Sequence, residues 1–148
     1  VSTLCTHFFI LGPIYIVRMN IENGRSLIVA AIAMLILDII WLRFFLKSDA
    51  MVLIRNVTGH SLKINYIYAG MAYILMIIGL YMFILNDMNG YEMSELVTRA
   101  FVLGVIIYGV YETTNGAIIE SWDPMFMIKD TLWGGFLFAI VTYIAVSL

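Results

Sequence analysis

The chain has 148 residues, 63% of them hydrophobic and only 12% charged, with a mean hydropathy of +0.98. A water-soluble domain is close to half apolar and a quarter charged, and a fold of this length has too small an interior to hide the excess. The formal charge of −2, with eight Lys and Arg scattered along the chain, argues against nucleic acid as a partner. A single cysteine, Cys5, excludes an internal disulfide framework and a Cys-rich metal site.

In chain order, residues 1–25 come first. Leu4–Val17 is apolar but short and contains Gly12-Pro13. It lacks the basic start and small-residue cleavage site of a secretory signal. Residues 1–25 are therefore predicted to form an interfacial or re-entrant segment, or the end of an upstream span if residues precede Val1.

Residues 26–148 are predicted to form an all-α, four-transmembrane-helix antiparallel bundle. A bilayer core about 30 Å thick needs roughly 20 apolar residues per helical span, and four runs come near that length: 26–46, 64–85, 97–119 and 130–148. Helices pair their backbone groups internally, which the hydrocarbon interior demands. Asn86-Asp87-Met88-Asn89-Gly90 and Ser121-Trp122-Asp123-Pro124 are turn chemistry between spans. Lys47–Lys63 mixes Met51, Val52, Leu53 and Ile54 with charges and reads in part as an interfacial amphipathic stretch.

An alternating path puts Arg43, Lys47, Arg55, Lys63 and Lys129 on the side of the first and third loops, against Arg18, Arg25 and Arg99 on the other. The excess of basic residues predicts that the first and third loops are cytoplasmic. The sequon Asn56-Val57-Thr58 would then escape glycosylation, and its modification would reverse the assignment.

Two carboxylates fall inside the spans. An acidic side chain at depth costs about 2.5–3.5 kcal/mol on insertion scales, so it faces a bundle interior or a cavity and finds partners. At about 1.5 Å per residue, Asp38 lies roughly 12 Å from the Leu46 end of its span and Glu112 roughly 10 Å from the Ile119 end. In an antiparallel bundle those ends share one membrane face. Asp38 with Trp41, Glu112 with Asn115, and Asp130 with Trp133 are i, i+3 pairs on one helical side, and Asn65 and Tyr66 open the second span at the same face. These six residues, Asp38, Trp41, Glu112, Asn115, Asp130 and Trp133, form the candidate ligand-binding layer.

Each also has a plainer reading. Trp41 and Trp133 fit an interfacial aromatic belt. Asp130 fits the N-cap of the fourth helix, the role favoured for it, and Tyr66, Tyr73, Tyr108 and Tyr111 fit bundle packing. The run Glu112-Thr113-Thr114-Asn115-Gly116 suits interhelical hydrogen bonding or a kink lining a cavity. Ala100-x-x-x-Gly104 permits close helix approach, though such pairs also arise by chance. His7 and His60 have no metal-ligand spacing, so no transition-metal site is predicted, although three carboxylates suit a hard cation. No phosphate-cradling glycine loop and no nucleophile elbow occurs, so no cofactor is predicted.

Asp38-Ile-Ile-Trp41-Leu42, Tyr108-x-x-Tyr111-Glu112-Thr-Thr-Asn115-x-Ala117, Trp122 with Pro124, and Asp130-Thr-Leu-Trp133-Gly134 together resemble the DUF2177 family of small bacterial and viral membrane proteins. The resemblance runs from about Ser26 to the C-terminus. It departs at Glu112, where the family pattern usually has Asp, and at Trp122-Asp-Pro124, where Trp-Pro is common. It implies the architecture and points to the same residues, without naming an activity.

Three functions compete. The layer binds a small ligand or lipid headgroup, with or without catalysis; or the chain is a structural subunit of a membrane assembly such as a viral inner membrane or respiratory complex, its partners being neighbouring subunits or further copies. Ion or proton transport is the third, weakened by the lack of an inverted repeat. All three take the lipid bilayer as surroundings.

Overall fold

A computed structural model describes residues 21–46, 51–53, 55–56, 59–60 and 64–148. Leu4–Val17, with Cys5 and His7, lies outside the described residues, as do Lys47, Lys63 and Val57-Thr58 of the sequon. Among the described residues, four helices are long and apolar enough to cross a bilayer. They are α1 (Ile21–Trp41), which runs on into a π-helical turn at Leu42–Leu46, α2 (Tyr66–Phe83), α3 (Met93–Ile118) and α4 (Pro124–Ser147). At about 1.5 Å per residue, even the 18 residues of α2 nearly cover a hydrocarbon core about 30 Å thick, and a 3₁₀ turn at Leu85–Gly90 extends it.

Local chemistry explains the boundaries. The Asn65 side chain accepts from the backbone N–H groups of Ile67 and Tyr68 at 3.1 and 3.4 Å, capping α2 at a free N-terminus. The fourth helix is capped by Asp123, which accepts from Met125 N at 2.9 Å, with Pro124 at the first helical position, where its missing N–H is no loss. This corrects the span expected at 130–148 and the reading of Asp130 as its cap. Lys129-Asp130 looked like a loop end in sequence, yet Asp130 stands nearly two turns inside α4. Further upstream, α3 begins at Met93 rather than Val97, its polar first turns held by an Arg99–Glu95 ion pair at 2.7 Å and by the Arg99 guanidinium 3.8 Å above the Tyr91 ring. It then continues unbroken through Glu112–Gly116. Thr113 Oγ1 donates to Gly109 O at 2.6 Å, turning its polar group back onto its own helix.

Packing is uneven. α3 and α4 make the most extensive pair, α1 packs on α4, α2 lies more lightly on α1, and α2 and α3 make no comparable contact. The α3/α4 seam is built from small residues: Ala100 and Gly104 on one side, Gly134 and Gly135 on the other, all buried. A Cβ placed on Gly104 would stand 2.1 Å from Gly134 O, so this pair of backbones meets as only glycine allows. The core lies towards the other membrane face, around Met34, Leu80, Leu85, Leu96, Leu137, Phe138 and Val141.

A second, smaller cluster joins Leu53 of the first loop to Trp122 and Phe126, with Trp41, Ile119 and Met127 against it. The first and third loops therefore share one face, as an alternating path requires. The remaining apolar surface, including Ile28, Ile32, Ile36 and Phe83, is what lipid contact calls for.

Candidate functional site

Beneath the Leu53–Trp122 cluster, all four helices send polar side chains into one layer. Asp38 of α1 is 6% exposed and is the acceptor on which the helices converge. Tyr73 of α2 donates its hydroxyl to Oδ2 at 2.5 Å, Trp133 of α4 donates Nε1 to Oδ1 at 2.9 Å, and Tyr108 of α3 reaches Oδ1 at 3.4 Å. One carboxyl group thus ties α1 to each of the other three helices, its buried oxygens satisfied by hydrogen bonds.

The two Asp-x-x-Trp motifs interlock. Trp133 on α4 donates to Asp38 on α1, and Trp41 on α1 donates Nε1 to Asp130 Oδ1 on α4 at 3.2 Å. Their rings stack with centroids 4.6 Å apart and planes 6° from parallel. Antiparallel helices bring these i, i+3 pairs into reciprocal register. Both indoles, each partly buried, thus tie α1 to α4 within the layer.

Glu112 is wholly buried. Its Oε2 accepts from Trp122 Nε1 at 2.7 Å, and among the described residues no N–H or alcoholic O–H reaches Oε1. The Glu112 carboxyl also meets the Asp130 carboxyl within hydrogen-bonding reach. Asp130, 8% exposed, lies close enough to feel both Glu112 and Asp38. Asn115, one turn beyond Glu112, has a buried Nδ2 without an acceptor and is joined to the carboxyls by none of these bonds. Among the described residues, no three His, Cys, Asp or Glu side chains are grouped as a metal site.

The weak α2/α3 contact leaves a groove of about 440 Å³, lined by Ala72, Leu75 and Met76 of α2, Ile107, Tyr108 and Tyr111 of α3, and Asp130. Leu75 and Tyr111 are more than half exposed, so the groove opens to lipid. Its lining is apolar but for the Tyr108 and Tyr111 hydroxyls and the Asp130 carboxyl.

Tyr73, Tyr108 and Trp122 were not among the candidate residues. The depth arithmetic could have found Tyr73, since seven residues from the start of α2 is about 10 Å, close to the depth of Asp38. Tyr108 precedes Glu112 by one turn on the same side. Its ring lies where a Cβ on Gly134 would be, 2.3 Å from Tyr108 Cγ, so it reaches Asp38 because position 134 is glycine. Trp122 is drawn over Glu112 by the turn that caps α4, which spacing alone does not reveal.

No curated protein and no solved structure matches the chain. The model of the family described as predicted membrane protein, DUF2177, matches residues 24–147, a stretch that holds α1 from Gly24 onward, the other three helices and every residue of the carboxyl layer. The chain is a multi-pass integral membrane protein and belongs to the DUF2177 family.

Proposed function

We propose that this protein binds an amphipathic molecule taken sideways from the bilayer, with its apolar part in the α2/α3 groove and its polar end on the Asp130–Glu112 carboxyl pair. The groove carries the reading. About 440 Å³ falls within the range of small-molecule sites, roughly 300–1,000 Å³ with mostly apolar walls and a few placed polar groups.

The pattern of satisfied and unsatisfied oxygens supports a ligand over packing alone. Asp38 has three donors, as a purely structural carboxylate should. Glu112 keeps a buried oxygen that no N–H or alcoholic O–H among the described residues reaches, in contact with the Asp130 carboxyl, which lines the groove. A ligand donor would satisfy carboxyl oxygens that a proton shared between the two acids leaves over. Carboxyl oxygens accept, so the polar end carries a hydroxyl or amine rather than a phosphate. Asp38, Trp41 and Trp133 hold Asp130 in place; Asn115 Nδ2 is a donor available to an acceptor on the same ligand.

Binding of radiolabelled 1-dodecanol to the protein in lipid nanodiscs, corrected for empty discs, tests this. Saturable binding that falls at least tenfold in Ala72→Trp, which fills the groove from its open side, and in Glu112→Gln is the expected result. Binding unchanged by both substitutions would refute the proposal.

A further inference from the structure

Resting on that ligand site, we infer that the polar end recognised by the Asp130–Glu112 pair is a protonated amine, so that the ligand is a lipophilic organic cation. Among the described residues, the groups acting on Glu112 are Trp122 and Asp130, and those acting on Asp130 are Trp41, Glu112 and Asp38; none of these is basic. Two carboxyls in contact within an apolar layer hold either a shared proton or a cation between them, since two bare carboxylates repel and cannot both be desolvated. The groove leads a cation to that position.

The walls select the kind of cation. With no third ligating side chain grouped there among the described residues, and with Ala72, Leu75, Met76 and Ile107 lining the approach, the site suits no hydrated metal ion, which asks for several oxygen ligands. It suits an ammonium on a hydrocarbon chain. An ammonium offers three N–H donors to Asp130, which lines the groove, and to the Glu112 carboxyl in contact with it. Tyr108 and Tyr111 line the groove beside Asp130, and aromatic rings attract ammonium groups. An anionic end would meet carboxylates alone.

The experiment compares three probes of one chain length on the protein in neutral-lipid nanodiscs at pH 7: dodecylammonium, 1-dodecanol and dodecanoate, each corrected for partition into empty discs. The expected order is ammonium at least tenfold tighter than alcohol, with dodecanoate weakest. Glu112→Gln should remove most of the ammonium preference, and Ala72→Trp, whose substitution lies outside the carboxyl layer, should weaken both ammonium and alcohol. If ammonium and alcohol bind equally and both are lost in Ala72→Trp, the ligand site stands and the cation assignment is overturned. The assignment is equally overturned if Glu112→Gln, melting as the parent does, keeps the full ammonium preference. If no probe binds above empty discs, both readings fall.

Discussion

Gly104→Ala isolates the contact on which the geometry of the layer depends. The added Cβ would lie 2.1 Å from Gly134 O, 2.7 Å from Gly134 C and 3.0 Å from Gly135 Cα, all backbone atoms, whereas ordinary contact begins near 3.4 Å. No rotamer can relieve this, so α3 and α4 must part by about 1.3 Å at their crossing, the shortfall between those two distances. A gap of 0.5–1 Å already forfeits roughly a quarter to a half of a dispersion contact, and overpacking of this kind costs about 1–3 kcal/mol. For a chain of this length that corresponds to a fall of about 3–10 °C in apparent melting temperature. The damage should reach the layer, because α3 carries Tyr108 one turn on, and its 3.4 Å bond to Asp38 has no slack. Gly109→Ala is the control: its Cβ would meet only Thr131 Cγ2 at 3.4 Å, and helix propensity favours alanine by up to about 1 kcal/mol. Thermal unfolding of both variants in one detergent decides the matter. Equal melting temperatures for Gly104→Ala and the parent, or an equal fall in both variants, would refute the close-approach account.

Asp38→Ala should leave the donors of Tyr73, Tyr108 and Trp133 without their acceptor and lower stability by about 3 kcal/mol or more, while Asp38→Asn, which keeps one accepting oxygen, should lower it less; the two melting curves check the order. Trp122→Phe retains the packing on Leu53 and Phe126 but removes the donor to Glu112, for a loss of about 1.5–3 kcal/mol. That loss should shrink in a Glu112→Leu background, and an additive double-mutant cycle would show that the bond contributes nothing. Cysteines placed at Leu53 and Phe126 should cross-link under mild oxidation, because the first loop packs on the start of α4; failure to cross-link would place the two loops apart.

Span number and membrane class were legible because they depend on sums. Hydropathy and length accumulate over twenty residues, so a few polar interruptions do not hide a helix. The gathering of Asp38, Glu112 and Asp130 at one level was legible for a related reason: depth follows from residue count along a helix of fixed rise. The start of α4 was misplaced because Pro124 and Asp123 act through the backbone they cap, whereas a hydropathy scan sees the charges of Lys129 and Asp130.

Azimuth was the part that sequence left open. Which side chain faces which is set by how helices rotate about their axes, and that depends on the glycine seam. Gly104 and Gly134 let α3 and α4 close up, Gly134 makes room for the Tyr108 ring, and the resulting rotation sets Trp41 and Trp133 across one another. The gap opposite, between α2 and α3, exists because α2 packs on α1 instead. Composition and residue count determined that this chain lies in a membrane with carboxyls buried at one level; only tertiary packing decided that Asp38 is satisfied inside the bundle while Glu112 meets Asp130, which lines the groove between α2 and α3.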